Sequence, residues 1–259
     1  MEGGKRIHSN FTLDKSIPSL SIITVVYNSQ EFIERTIRSV QSQTFKNIEH
    51  VILDGGSKDQ TLDIIKSFEQ GIAYWKSEKD EGIYDAMNKA QLLATGDYVM
   101  FLNSGDELND HNVIEEIFKL QANADVYYGD TLITDVNGQA LKNRRLRPPQ
   151  TLTWKDLRYG MLVCHQSIIV KRSISQTYNT EYRISADIDW AIRSLKLSHV
   201  IVNTHRTISK FMEGGMSTIH QRKGLEERYK VLNKHFGYVP NALVHVYMIF
   251  RLVFSKLVR

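Results

Sequence analysis

Cysteine is nearly absent. Cys164 stands alone among 259 residues, so an internal disulfide and any multi-cysteine metal site are excluded, and the chain suits a reducing compartment. Proline is scarce, with four residues, while 42% hydrophobic and 24% charged residues are ordinary for a soluble globular protein. The N-terminus, "MEGGKRIHSNFTLDKS", lacks the apolar segment of a secretory signal and reads as a flexible lead-in over residues 1–17. No charge of one sign dominates: the net charge is +4 and the isoelectric point near 9.0. That excess suits phosphorylated ligands or an anionic membrane face. It is scattered, however, and no aromatic platform motif accompanies it, which argues against nucleic acid as a partner.

Familiar chemical signatures are missing too. No G-x-G-x-x-G follows a strand, so a dinucleotide-binding Rossmann domain would lack its pyrophosphate turn. There is no G-x-x-x-x-G-K-[ST] phosphate loop, no H-E-x-x-H zinc pair and no G-x-S-x-G nucleophile elbow. Internal repeats and low-complexity segments are also lacking.

What is present is regular alternation over residues 20–102. "LSIITVV" (20–26), "IEHVIL" (48–53), "IAYWKS" (72–77) and "DYVMFL" (97–102) have the length and β-branching of buried strands. Between them lie helical patterns at 29–43, 60–70 and 84–94. Phe32, Ile33, Ile37 and Val40 share one face of the first, and Asp59 precedes the second as its N-cap. Strand–helix alternation with short connections predicts an α/β fold with a mostly parallel central sheet flanked by helices. From residue 125 the pattern loosens into antiparallel material: a strand at 125–135, a turn at Asn137-Gly138, and further strands at 166–170, 199–203 and 207–211. A helix is expected near 187–197, and two more follow residue 217.

Ligands of such open sheets bind beyond the carboxyl ends of the strands. Those ends read Tyr27-Asn28, Asp54-Gly55-Gly56-Ser57, Glu78-Lys79-Asp80 and Asn103-Ser104-Gly105-Asp106. Each alone has an ordinary explanation as a turn, a cap or a solvated charge run. Four together at one sheet edge point to a nucleotide or its metal, because carboxylate and amide oxygens suit a hard cation and glycines free backbone N–H groups for an anion.

At these residues a resemblance appears. "SIITVVYNS", "VILDGGSKDQT", "EKDEGIYDAMNKA" and "GDYVMFLNSGDEL", then "CHQSIIVKR", "ISADIDWAIR" and "FMEGGMS", are similar in order and spacing to the motifs of family 2 glycosyltransferases. The likeness spans roughly residues 20–217 and is nearest to the subgroup of bacterial surface-polysaccharide pathways. It implies an inverting sugar transferase with a GT-A domain over 18–216 and a C-terminal helical extension over 217–259. It implies a nucleoside-diphosphate sugar donor, UDP-linked for preference, and a saccharide or lipid-linked saccharide acceptor. Tyr27, Asn28, Asp54, Gly56, Asp80, Asn88, Asn103 and Ser104 would bind the donor. Asp106, helped by Asn103, would hold Mg²⁺ or Mn²⁺, and Asp187 would be the general base.

Two departures matter. Asp54-Gly55 replaces a pair of aspartates, one of which often reads the base, and Asn103-Ser104-Gly105-Asp106 keeps one carboxylate where the common form has three. The thinned motif leaves a second reading open, a catalytically silent nucleotide-sugar binder or assembly protein. His165 is either a core histidine or faces the acceptor or the metal, and His220 is read the same way. Asp189 reads as a first-turn acid of its helix. The glycine pair Gly214-Gly215 marks a mobile loop near the donor phosphates.

The tail "NALVHVYMIFRLVFSKLVR" (241–259) carries apolar residues at helical spacing, but its uninterrupted run is too short to span a bilayer. It either packs on the catalytic domain or a second subunit, giving a homodimer, or lies in a membrane interface. Membrane contact is favoured, which would place the protein in the cytoplasm at the inner face of the membrane.

Overall fold

The structure, a computed structural model, describes residues 1–9, 11–121, 123–214 and 220–246. Gly215 to Ser217 of the glycine-pair loop and tail residues 247–259 lie outside the described residues.

Four parallel strands organise the N-terminal half: β2 (Leu20–Val26), β3 (Ile48–Asp54), β4 (Tyr74–Ser77) and β5 (Tyr98–Phe101). Every residue of β2 is buried, which is why it reads as a continuous apolar run: helices cover both faces. Helices α2 (Ile33–Gln41), α3 (Thr61–Ser67) and α4 (Ile83–Leu93) connect these strands. Ile33, Ile37 and Val40 form the buried stripe of α2, as the spacing predicts. The helix starts four residues later than expected, because Ser29 to Phe32 form a turn in which the Ser29 N–H donates to Thr61 Oγ1 at 2.8 Å.

Beyond β5 the sheet becomes mixed. Its order is β1-β4-β3-β2-β5-β9-β7-β10-β6, with β8 on β7. Here β1 is Glu2–Gly3, β6 Glu107–Leu108, β7 Val126–Thr134, β8 Ala140–Asn143, β9 Ile168–Lys171 and β10 Ile201–Met212. β9 is antiparallel to both β5 and β7, whereas β7 and β10 are parallel. The sheet is thus parallel through β4-β3-β2-β5 and mixed beyond, where the looser pattern from residue 125 predicts antiparallel strands. The two strands expected at 199–203 and 207–211 are one, β10, with register shifts between Asn203 and Ser209 and His205 at φ 53°.

The N-terminal lead is not loose. β1 pairs antiparallel with β4, and α1 (Lys5–His8) follows at once. From α1, Arg6 pairs with Glu49, whose side chain is fully buried, and donates to the Leu93 carbonyl at 2.6 Å. A carboxylate buried without a cation would be strongly destabilising, so Glu49 gives this segment a fixed docking point.

Helices α5 (Val113–Leu120), α6 (Ala186–Lys196) and α7 (Gln221–Phe236) complete the described elements used below. Under α6 lies an aromatic stack: Tyr178 and Trp190 have ring centroids 5.4 Å apart, and Phe101 meets both edge-on at 5.0 and 5.6 Å. Rigid rings of this size fix the helix against the end of β5. α7 is no appendage: its Val231 and Leu232 are fully buried in the same core.

Candidate active site

The chain order β4-β3-β2-β5 reverses direction between β2 and β5, which opens a crevice beyond their carboxyl ends. A cavity of about 890 Å³ occupies that crevice. Of the residues singled out in the sequence, Tyr27, Asp80, Asn103, Ser104, Asp106 and Asp187 line it, as do His165 and His220. Asn28, Asp54, Gly56 and Asn88 do not line it.

Those four have other work. Asp54 is buried and accepts from the Ser57 N–H at 3.1 Å and from the hydroxyls of Ser57 and Ser77 at 2.5 and 2.6 Å. It thus holds the turn that contains Gly56, at φ +81°. Asn28 sits at φ 47°, donates its N–H to Ser57 Oγ and accepts from the Lys58 N–H, both at 2.8 Å. The loops after β2 and β3 are thereby clasped together. Asp59 joins the clasp by accepting from the N–H groups of Gln30 and Thr61. Asn88, expected among the donor residues, is spent on the Tyr178 backbone: its amide donates to the carbonyl at 2.8 Å and its oxygen accepts the N–H at 2.7 Å.

The departure at Gly55 has a spatial counterpart. A Cβ on Gly55 would lie 2.3 Å from Asp80 Oδ2 and 3.4 Å from the Tyr27 ring. The missing side chain leaves room for the carboxylate of Asp80, whose other oxygen accepts from the Gly82 N–H at 2.8 Å. Tyr27 remains 60% exposed at the mouth, free to lie against a planar ligand.

Asn103 to Asp106 forms a tight turn after β5. Its Gly105, at φ +98°, donates its N–H to Thr36 Oγ1 at 3.0 Å and accepts from Arg35 Nε at 3.1 Å. Asn103 Oδ1 is buried and has no hydrogen-bond partner. Asp106 accepts from Gln166 Nε2 at 2.8 Å and from the Met212 N–H at 3.0 Å. Burial pushes its carboxyl up to about 6, against the pull of those two donors.

Asp187, which also lines the cavity, occupies the first turn of α6. One oxygen accepts from the Ile188 N–H at 2.9 Å; the other lies 3.6 Å from His165 Nδ1. His165 Nε2 is buried without a partner. Neighbouring residues of one short turn, His165–Ser167, therefore reach the two carboxylates separately: His165 faces Asp187 and Gln166 holds Asp106. Asp189 has a different environment. Burial works against its ionisation, but His235 at 2.8 Å, Arg193 at 2.7 Å and Lys234 outweigh it and hold the carboxyl at about 2.

Sequence reasoning did not single out Gln166, Arg144, Arg183 or Lys223, all of which line the cavity. Gln166 stands in the quoted "CHQS" stretch, which was its only signal. Arg144 is fixed by the carbonyls of Met161, Leu162 and Leu146, contacts with no local pattern.

A divalent cation fits part of this site. The orphaned Asn103 oxygen and the buried Asp106 carboxylate are hard oxygen donors whose burial a cation would relieve. Among the described residues no three His, Cys, Asp or Glu side chains gather into a metal cage, so the remaining ligands would come from substrate or water.

Solved structures share this architecture. S. aureus TarS 1–349 in complex with UDP-GlcNAc superposes with a TM-score of 0.62 at 20% identity, covering 82% of this chain and 64% of that one. The chain spans only 44% of the longer TarS structure. The mannosyltransferase PcManGT of Pyrobaculum calidifontis, in complex with GDP-Man and Mn²⁺, gives 0.63 at 13% identity, over 91% and 71% of the two chains. Likeness at these identities speaks for the fold alone, and that fold is the GT-A fold of glycosyltransferases. The sequence profile described as Glycosyl transferase family 2 matches residues 21–178. The chain belongs to that family. A PGL/p-HBAD biosynthesis glycosyltransferase of Mycobacterium tuberculosis is 29% identical over 211 residues, covering 77% of this chain and 79% of that protein.

Proposed function

We propose that this glycosyltransferase moves a sugar from a nucleoside diphosphate to an acceptor hydroxyl by single displacement, inverting the anomeric centre, in assembly of a surface polysaccharide or glycolipid. The observation that carries the reading is the pair Asp106 and Asp187 on one cavity, tied together through Gln166 and His165.

The division of labour follows from charge. Tyr27 and Asp80 sit where a base and ribose would enter, and Arg183 and Lys223 bring positive charge to the cavity for the diphosphate. Asp106 and Asn103 would hold Mg²⁺ or Mn²⁺, which supplies Lewis-acid stabilisation of the leaving diphosphate. A sugar hydroxyl is a poor nucleophile until its proton leaves, and Asp187 takes that proton as general base. His165, 3.6 Å away, keeps that carboxylate oriented. Ile133, Met161, Ile184 and Phe211 give the cavity an apolar wall, which suits an acceptor with an apolar portion, such as a lipid-linked saccharide. The donor is read as a UDP-sugar; TarS binds UDP-GlcNAc in its solved complex.

Among the described residues no helix is long and apolar enough to cross a membrane. Tyr238, Val239, Leu243 and Val246 are exposed, however, which supports peripheral contact at the inner membrane face; a second copy of the chain is the other candidate for that surface.

Thermal-shift titration with nucleotide sugars and Mn²⁺ tests donor binding. The sign of its pH dependence follows from Asp106. A carboxyl raised to about 6 favours the fold fully below its unfolded value, near 3.9, and that contribution is lost as pH rises through about 6. At pH 7.5 the buried carboxylate is ionised and a cation should stabilise the protein; at pH 5 protons compete and the shift should shrink. Equal Mn²⁺ shifts at both pH values would contradict Asp106 as ligand. Stabilisation by a donor without any transfer or donor hydrolysis would favour the silent binder.

Gly55→Ala tests the donor side. The added methyl must displace the Asp80 carboxylate, so affinity for the nucleotide sugar should fall about tenfold, the loss of one hydrogen bond to a charged group, with little change in melting temperature. Unchanged donor affinity would remove Asp80 from the site.

A further inference from the structure

The C-terminal helix α7 reaches the catalytic side of the molecule through one buried carboxylate. Glu227 is 6% exposed and accepts from three consecutive backbone N–H groups: Arg183 at 3.0 Å, Ile184 at 2.7 Å and Ser185 at 3.1 Å. Ser185 is the residue that opens α6, and its own side chain does not cap the helix. Instead Ser185 Oγ donates to the Gly224 carbonyl at 2.9 Å. The segment is therefore bound to α7 in both directions, and Asp187 follows two residues later.

A second observation is independent of those bonds. Gly224 lets α7 approach closely: a Cβ there would stand 3.1 Å from Ile184 Cγ2 and 3.8 Å from Ser185 Oγ. Ile184 and Arg183 themselves line the cavity. Backbone N–H groups buried at the entry of a helix need acceptors, and here all three are supplied from a helix 42 to 44 residues further along the chain.

We infer that Glu227 is a positioning residue for Asp187: it fixes the backbone from which the catalytic carboxylate projects, so the C-terminal helix is part of the reaction centre. This rests on the reading of Asp187 as general base. Glu227 touches no substrate; it acts through the 183–185 backbone. Glutamine in its place keeps the size but turns an amide N–H₂ toward N–H donors, so at least one bond is lost and the segment relaxes.

The test measures turnover and donor affinity for Glu227→Gln, Asp187→Asn and the double variant. A displacement of the order of 1 Å can cost up to about 100-fold in rate, so Glu227→Gln should lower kcat between about 10- and 100-fold. Donor Kd should weaken less than kcat falls, because Arg183 lies on the relaxed segment while Tyr27, Asp80 and the Asn103–Asp106 turn are held by other elements. In the Asp187→Asn background the same substitution should change the residual rate less than roughly twofold, since residues acting as a unit are not additive. A merely structural role would give the same factor in both backgrounds and would overturn the inference, as would wild-type kcat in Glu227→Gln. If Glu227→Gln does not fold, Gly224→Ala takes its place: it pushes Ile184 by a few tenths of an ångström and should give a smaller loss of the same pattern. Wild-type kcat in Asp187→Asn would instead sink the general-base reading, a distinct result.

Discussion

Asp187→Asn should lower turnover by about 10²–10⁴-fold, the usual contribution of a positioned general base, while nucleotide-sugar affinity stays close to that of the wild type. The substitution preserves shape, and an amide oxygen can still accept from the Ile188 N–H. What it removes is the site for the acceptor proton. The proton is lost only as the acceptor attacks, so the interaction belongs to the transition state and its loss shows in kcat rather than in donor binding. Steady-state transfer kinetics combined with calorimetric donor titration separate the two. Equal losses in turnover and donor affinity would mean that Asp187 belongs to the donor pocket instead.

Asp106→Ala should have the opposite signature on the donor side. Loss of the single carboxylate of the Asn103–Asp106 turn should abolish the Mn²⁺-dependent thermal shift. It should also lower kcat/KM by at least about 100-fold, equivalent to roughly 3 kcal/mol of transition-state stabilisation at about 1.4 kcal/mol per factor of ten. Two structural bonds go with it, those from Gln166 and the Met212 N–H, so Asp106→Asn is the companion variant. It keeps an acceptor for one of these donors while losing the charge. If the asparagine variant retained both the Mn²⁺ response and activity, Asp106 would be a structural strut between β5 and β10 and no more.

The part of this molecule legible in its sequence is the part built from local patterns. β2 and β5 are buried along their whole length, β3 along all but its first residue and β4 over Tyr74 and Trp75, so each shows as a short stretch suited to the interior. The strand ends point to the crevice residues Tyr27, Asp80, Asn103 and Asp106, but they point equally to Asn28, Asp54 and Gly56, which do not line it. Asp187 required the resemblance, because a carboxylate in the first turn of a helix looks the same whether or not it meets a substrate. The N-terminal strand and helix were invisible: two residues and four residues are too short to show a period, and the partner of Arg6 is 43 positions away at Glu49. The resemblance puts Asn88 in the donor pocket, and nothing in its helix reveals that Tyr178, 90 residues on, uses both of its polar atoms. Gln166 and Glu227 escaped for the same reason. Their roles are hydrogen bonds between distant segments, and sequence spacing carries no record of them.

The most direct test is a crystal structure of the protein with UDP-sugar and Mn²⁺, with the metal located by its anomalous scattering. An anomalous peak is expected within coordination distance of Asp106 and Asn103, with the diphosphate beside it and the Asp187 carboxylate facing the anomeric carbon from the opposite side. A metal bound elsewhere, or a diphosphate lying in a cavity that Asp187 does not reach, would contradict it.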